Sequence, residues 1–111
     1  MASGGAGASG GPPPAGGAAA DVKIEAKGVA FVETTFTAPA DKPFTIAFDN
    51  EDQGTPHNIE IQDASGAVAF KGDVFNGVDT KVYDVPALKA GSYKFLCVVH
   101  PTQMTGTATI Q

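Results

Sequence analysis

The chain has 111 residues and carries seven lysines and no arginine against twelve Asp and Glu, a net charge of −5 at pH 7. That balance argues against a nucleic-acid partner, which needs a basic stripe. No apolar run is long enough for a membrane span or a signal-peptide core. One cysteine, Cys97, excludes an internal disulfide and leaves the redox compartment unmarked.

The first twenty residues, MASGGAGASGGPPPAGGAAA, carry no charge and almost nothing able to pack. Such Gly, Ala, Ser and Pro cannot offset the entropy of ordering, so 1–20 reads as a flexible linker, a tether (to a membrane among other attachments) or a cloning remnant. Residues 21–111 then form a single domain, large enough for a core. All the charge lies there; mild acidity keeps a small protein soluble and can also steer a basic partner.

From Asp21 onward apolar residues recur with period two. DVKIEAK sets Val22, Ile24 and Ala26 on one face, and PFTIAFDN does the same with Phe44, Ile46 and Phe48. HNIEIQD alternates His57, Ile59 and Ile61 with Asn58, Glu60 and Gln62. SYKFLC alternates Tyr93, Phe95 and Cys97 with Lys94 and Leu96, and TGTATI offers Ala108 and Ile110. Weaker strands are predicted over 30–36, 67–71 and 80–85. Turn residues separate them, as at Lys27-Gly28, 50–56, Ser65-Gly66, Asn76-Gly77 and Ala90-Gly91. No window has an amphipathic helical stripe. The expectation is all-β: an antiparallel Greek-key sandwich of seven or eight strands.

Parity places two chemically distinctive side chains inward at strand ends. His57 shares a face with Ile59 and Ile61, and Cys97 shares one with Tyr93 and Phe95. His100 and Met104 follow Cys97 in the loop before the last strand. A sandwich can bring such strand ends together at one pole. The spacing His57 … Cys97-x2-His100-x3-Met104 fits a mononuclear copper site, with two imidazoles and a thiolate in a plane and a thioether on the axis.

Taken singly, each residue has an ordinary explanation. An inward cysteine is usually a small core hydrophobe, an inward histidine a satisfied core residue, a methionine a gap filler, and His100 a polar loop residue. Taken together they exhaust the chain's Cys, His and internal Met, and all four sit at compatible strand ends. Zinc is a weaker fit, because thioether is a poor zinc ligand. An oxidase or reductase would need an open coordination position or further ligands, and no spare His or Cys exists, so an enzyme is not expected. A copper chaperone or storage protein remains the alternative; it would favour Cu(I) and show no intense colour.

Tyr93-Lys94-Phe95-Leu96-Cys97-Val98-Val99-His100-Pro101, preceded by Ala90-Gly91-Ser92 and followed by Met104-Thr105-Gly106-Thr107-Ala108, resembles the carboxy-terminal copper loop of the cupredoxins. Thr55-Pro56-His57-Asn58-Ile59 is similar to their upstream ligand segment, so two separated motifs match in order from about Phe36 to Gln111. In style the chain is nearest plastocyanin, pseudoazurin and amicyanin.

The resemblance implies a type 1 blue-copper carrier shuttling single electrons through Cu(I)/Cu(II), with His57, Cys97 and His100 equatorial and Met104 axial. It implies a monomer outside the cytoplasm, in the periplasm or at the outer face of the cytoplasmic membrane, meeting transient redox partners. Asn58 matches the residue whose side chain ties the two ligand loops together, and His100 the ligand at the electron port. Val98, Val99, Pro101 and Pro56 are candidates for the docking surface. Two departures stand out. The H-P-T-Q-M interval is one residue shorter than in plastocyanins and one longer than in amicyanins, and Leu96 stands before the cysteine where plastocyanins commonly have an exposed tyrosine. The binuclear copper centre also built on this fold needs two bridging cysteines, which Cys97 alone excludes.

Overall fold

A computed structural model describes residues 20–111. The linker expected over 1–20 lies outside the described residues except for Ala20. Among the described residues there is no helix and there are eight strands: β1 (Val22–Ala26), β2 (Thr35–Ala38), β3 (Phe44–Asn50), β4 (Glu60–Gln62), β5 (Val68–Lys71), β6 (Asp79–Val85), β7 (Gly91–Leu96) and β8 (Thr105–Ile110). They form a sandwich of a three-stranded sheet, ordered β1-β3-β6, and a five-stranded sheet, ordered β2-β8-β7-β4-β5.

The expected sandwich is present, but it is not wholly antiparallel. β1 runs parallel to β3, with Val22 beside Ile46, and β2 runs parallel to β8, with Phe36 beside Ala108. The reason is topological. β1 and β3 are separated by β2, which belongs to the other sheet, and a crossover of this kind brings the chain back in the same direction.

The weak strand expected over 30–36 is replaced by an irregular segment that changes sheets. Phe31 and Phe36 are both buried, yet they are an odd number of residues apart and would face opposite sides of one strand. The chain resolves this by folding back at Gly28-Val29 so that Phe31 bridges Ala26, then starting β2 at Thr35. Gly28 and Val29 have φ of 65° and 56°, and the Lys27 N–H donates to the Ala30 carbonyl at 2.9 Å, as in a tight primed hairpin turn. Glycine adopts that conformation freely. A β-branched valine does so at a cost of order 1–3 kcal/mol.

Phe95 is the hub of the core. Its ring lies 5.1 Å from Phe31, which bridges β1 of the other sheet, and 5.2 Å from Phe36 in β2 of its own sheet. Opposite it across the β7–β8 ladder is Gly106. A Cβ there would run into the Phe95 ring and lie 2.6 Å from the Thr34 carbonyl oxygen, which already accepts the Thr107 N–H at 2.9 Å. Backbone cannot yield as a flexible side chain would. Gly106→Ala is therefore expected to destabilise the domain by about 2–3 kcal/mol, read as a lower urea midpoint at unchanged slope. A midpoint equal to wild type would show that β8 shifts without cost.

Candidate metal centre

Cys97 stands just past β7, two residues beyond Phe95, and the same alternation that buries Phe95 buries the thiol completely. The chain then turns tightly. The His100 N–H donates to the Cys97 carbonyl at 3.1 Å, and the N–H groups of Gln103 and Met104 both donate to the His100 carbonyl, at 3.1 and 2.9 Å. The Cys97 N–H closes the loop on the Met104 carbonyl at 3.1 Å. Backbone bonding alone thus holds His100 and Met104 beside Cys97.

His57 arrives from the other side. It precedes β4 and exchanges two backbone hydrogen bonds with Phe75, at 3.2 and 3.1 Å. The Phe75 ring meets Phe48 edge-on at 5.8 Å, which anchors this bridge to the core. Asn50, fully buried at the end of β3, donates to the carbonyls of Thr55 (3.0 Å) and Phe75 (3.4 Å) and accepts the Asp52 N–H at 2.9 Å. The turn over 50–57 is therefore fixed from within.

Asn58 joins the segments that carry His57 and Cys97. Its Oδ1 accepts the Val98 N–H at 2.9 Å, and its Nδ2 donates to the Gly72 carbonyl at 2.9 Å. The alternation read over 57–63 would turn Asn58 outward. It is instead fully buried, because regular strand begins only at Glu60 and His57, Asn58 and Ile59 are all enclosed.

Among the described residues, His57, Cys97 and His100 form the one group of His, Cys and carboxylate side chains able to share an ion, with ligand atoms within 4.8 Å of one another. Each histidine Nδ1 is 3.8 Å from Cys97 Sγ, and the two rings meet edge-on at 5.1 Å. Two donors about 2.1 and 2.3 Å from a common centre and about 120° apart would be about 3.8 Å from each other. The spacing therefore suits a single ion in the plane of the three donors. Met104 is fully buried in the same core cluster as Cys97. His57 and Cys97 are likewise fully buried, while His100 is half-exposed.

Leu96, at the position before Cys97, is buried and offers no surface route. Of the docking candidates, Val99 (42 % exposed) and Pro101 are open to solvent, whereas Val98 and Pro56 are half-buried.

One carboxylate escaped the sequence reading. Asp52 Oδ2 lies 2.8 Å from His57 Nε2. Burial alone would raise its carboxyl pKa, but hydrogen bonds from the Val29 N–H, from His57 and from the Gly28 N–H outweigh burial and hold it below the ordinary value. Within N-E-D-Q-G-T-P-H nothing separates Asp52 from a solvated turn residue, and its partners at 28 and 29 are far away in sequence.

A family model described as a cupredoxin-like domain matches residues 7–110. Among curated proteins none matches the sequence significantly. Similar solved structures include auracyanin from Roseiflexus castenholzii, with 19% identity over 81% of this chain and 95% of that one at a TM-score of 0.72. Auracyanin A of Chloroflexus aurantiacus, described as a "blue" copper protein, has 19% identity over 80% and 96% at 0.71. A purple cupredoxin from Nitrosopumilus maritimus has 24% identity over 82% and 100% at 0.60. At such identities the likeness is one of fold. The extent of the family match and the two-layered architecture lead to one conclusion: the chain belongs to the cupredoxin-like domain family.

Proposed function

We propose that this protein is a type 1 copper electron carrier in which His57, Cys97, His100 and Met104 hold one ion. The observation that carries the reading is the buried convergence of two histidine Nδ1 atoms on Cys97 Sγ, each at 3.8 Å. Thiolate, imidazole and thioether are the donors that a redox-active copper takes in this geometry. Copper supplies one-electron chemistry between its two oxidation states. The protein supplies a fixed pocket: the closed 97–104 loop and the Asn58 tie keep the donors in place, so little rearranges when charge changes. His100 is the half-exposed member of the set and provides the route to solvent.

Electron exchange of this kind makes and breaks no bond. With four donors drawn from the protein no position is left for a substrate, which supports a carrier rather than an enzyme. Val99 and Pro101 beside His100 suit brief docking of redox proteins, for which small interfaces are adequate. The resemblance to plastocyanin, pseudoazurin and amicyanin supports a monomer working outside the cytoplasm.

The test is to load the purified protein with Cu(II) and record its visible spectrum. An intense thiolate-to-copper band that bleaches on reduction is expected. A colourless Cu(II) form, or tight binding of Cu(I) alone, would reject the carrier in favour of a chaperone or storage role. Met104→Gln, which places a stronger donor on the axis, is expected to stabilise Cu(II) and lower the reduction potential. A potential that is unchanged or higher would remove Met104 from the axial position.

A further inference from the structure

Asp52 touches the centre from behind. Its Oδ1 accepts the Gly28 N–H at 2.7 Å, and its Oδ2 accepts the Val29 N–H at 2.9 Å while meeting His57 Nε2 at 2.8 Å. Its main chain is held too, by Asn50 Oδ1 at the N–H and by the Thr55 N–H at the carbonyl. Gly28 and Val29 both have positive φ, so their successive N–H groups form a concave nest for an anion, and the Asp52 carboxylate fills it. Valine is a poor choice for such a φ, and strain of this sort persists where surrounding contacts over-determine the geometry.

An ionised carboxylate has no proton to give, so the hydrogen in the Asp52–His57 contact belongs to Nε2. A neutral ring protonated at Nε2 carries its lone pair on Nδ1, the atom that faces Cys97 Sγ. A backbone carbonyl in the same place would orient the ring equally well, but it would bring no net charge. The carboxylate adds a negative charge one imidazole away from the ion, which favours the more highly charged oxidation state.

We propose that Asp52 is a positioning residue of the copper centre: held in the Gly28–Val29 nest, it fixes His57 as the Nε2–H tautomer with Nδ1 toward the metal, and it biases the bound copper toward Cu(II). The proposal rests on the carrier reading above, and its tests separate the two.

Asp52→Asn keeps the shape and removes the charge. The ratio of Cu(II) to Cu(I) binding constants is expected to fall about tenfold, at the lower end of the effect of such partners. That corresponds to a rise in potential of about 59 mV for one electron, with the intense visible band retained. A band that persists with the wild-type potential would overturn the proposal and leave the carrier reading intact. The second measurement needs no copper: nitrogen NMR of the copper-free wild type is expected to show His57 protonated at Nε2 and bare at Nδ1, with a proton slow to exchange. An Nδ1–H tautomer, or a rapidly exchanging Nε2 proton, would overturn the proposal. If Asp52→Asn does not fold, this wild-type measurement decides alone. A wild type that gives no intense band with Cu(II) rejects the carrier, whatever the tautomer.

Discussion

Cys97→Ser is expected to abolish the intense visible absorption of the Cu(II) form while leaving the copper-free domain folded. The band arises from electron density moving from thiolate sulfur to the metal, and a serine hydroxyl offers neither the soft donor nor a proton that leaves near neutral pH. A free cysteine loses its proton near pH 8.5, and metal binding drives that loss further. The two histidines would still hold Cu(II), but weakly and with pale colour. The cost to the fold is small by comparison. Cys97 is fully buried in the core cluster, so replacing sulfur by hydroxyl is expected to lower stability by about 1–2 kcal/mol. Absorption and urea unfolding, measured on the same preparation, check both halves. Survival of the band would mean that sulfur is not bound to the ion.

The next largest effect is expected from Asn58→Ala. The substitution leaves the buried Gly72 carbonyl and the half-buried Val98 N–H without their partner. Each orphaned group costs about 1–3 kcal/mol, so the copper-free protein should lose about 3 kcal/mol. The consequence for the metal is separate. Val98 follows Cys97, and Asn58 follows His57, so the amide is a direct strut between the segments that carry two of the proposed ligands. Without it the Cu(II) band is expected to broaden as the His57–Cys97 separation varies. A loss of stability below about 0.5 kcal/mol, with an unchanged band, would show that the backbone around each ligand is sufficient by itself.

Gly106→Ala and Asn58→Ala test different layers. The first loads the Phe95 hub, two residues from Cys97, and acts on packing. The second acts on polar satisfaction at the pole of the sandwich. The groups they disturb differ, Phe95 and the Thr34 carbonyl in one case and Val98 and Gly72 in the other, and their costs are expected to add.

The period-two pattern marked where most of the strands lie and which of their side chains enter the core. Val22, Ile24, Phe44, Ile46, Phe48, Phe95, Ala108 and Ile110 are buried as their alternation requires. The same rule brought Cys97 and His57 inward, since a half-buried strand has two faces and one must be dry. Their convergence with His100 was legible because the chain has so few soft donors. Alternation carries no direction, however. Whether β1 lies parallel or antiparallel to β3 depends on which sheet receives β2, and that is settled by packing across the whole domain. Alternation also fails where strand stops: parity by itself turns Asn58 outward, whereas the family resemblance makes it the tie between the two loops, and its side chain is enclosed.

Local residues determined which donors are on offer, because metal chemistry selects side-chain type and the loop spacing is short. Tertiary structure alone decided what stands behind them. Asp52 reaches His57 from five residues away but is itself held by Gly28 and Val29, a contact that spans more than twenty positions and depends on a hairpin turn with positive φ at a valine. No periodicity encodes such a contact. It exists because a buried imidazole nitrogen, two turn amides and one carboxylate must all satisfy their hydrogen bonds in the same small volume.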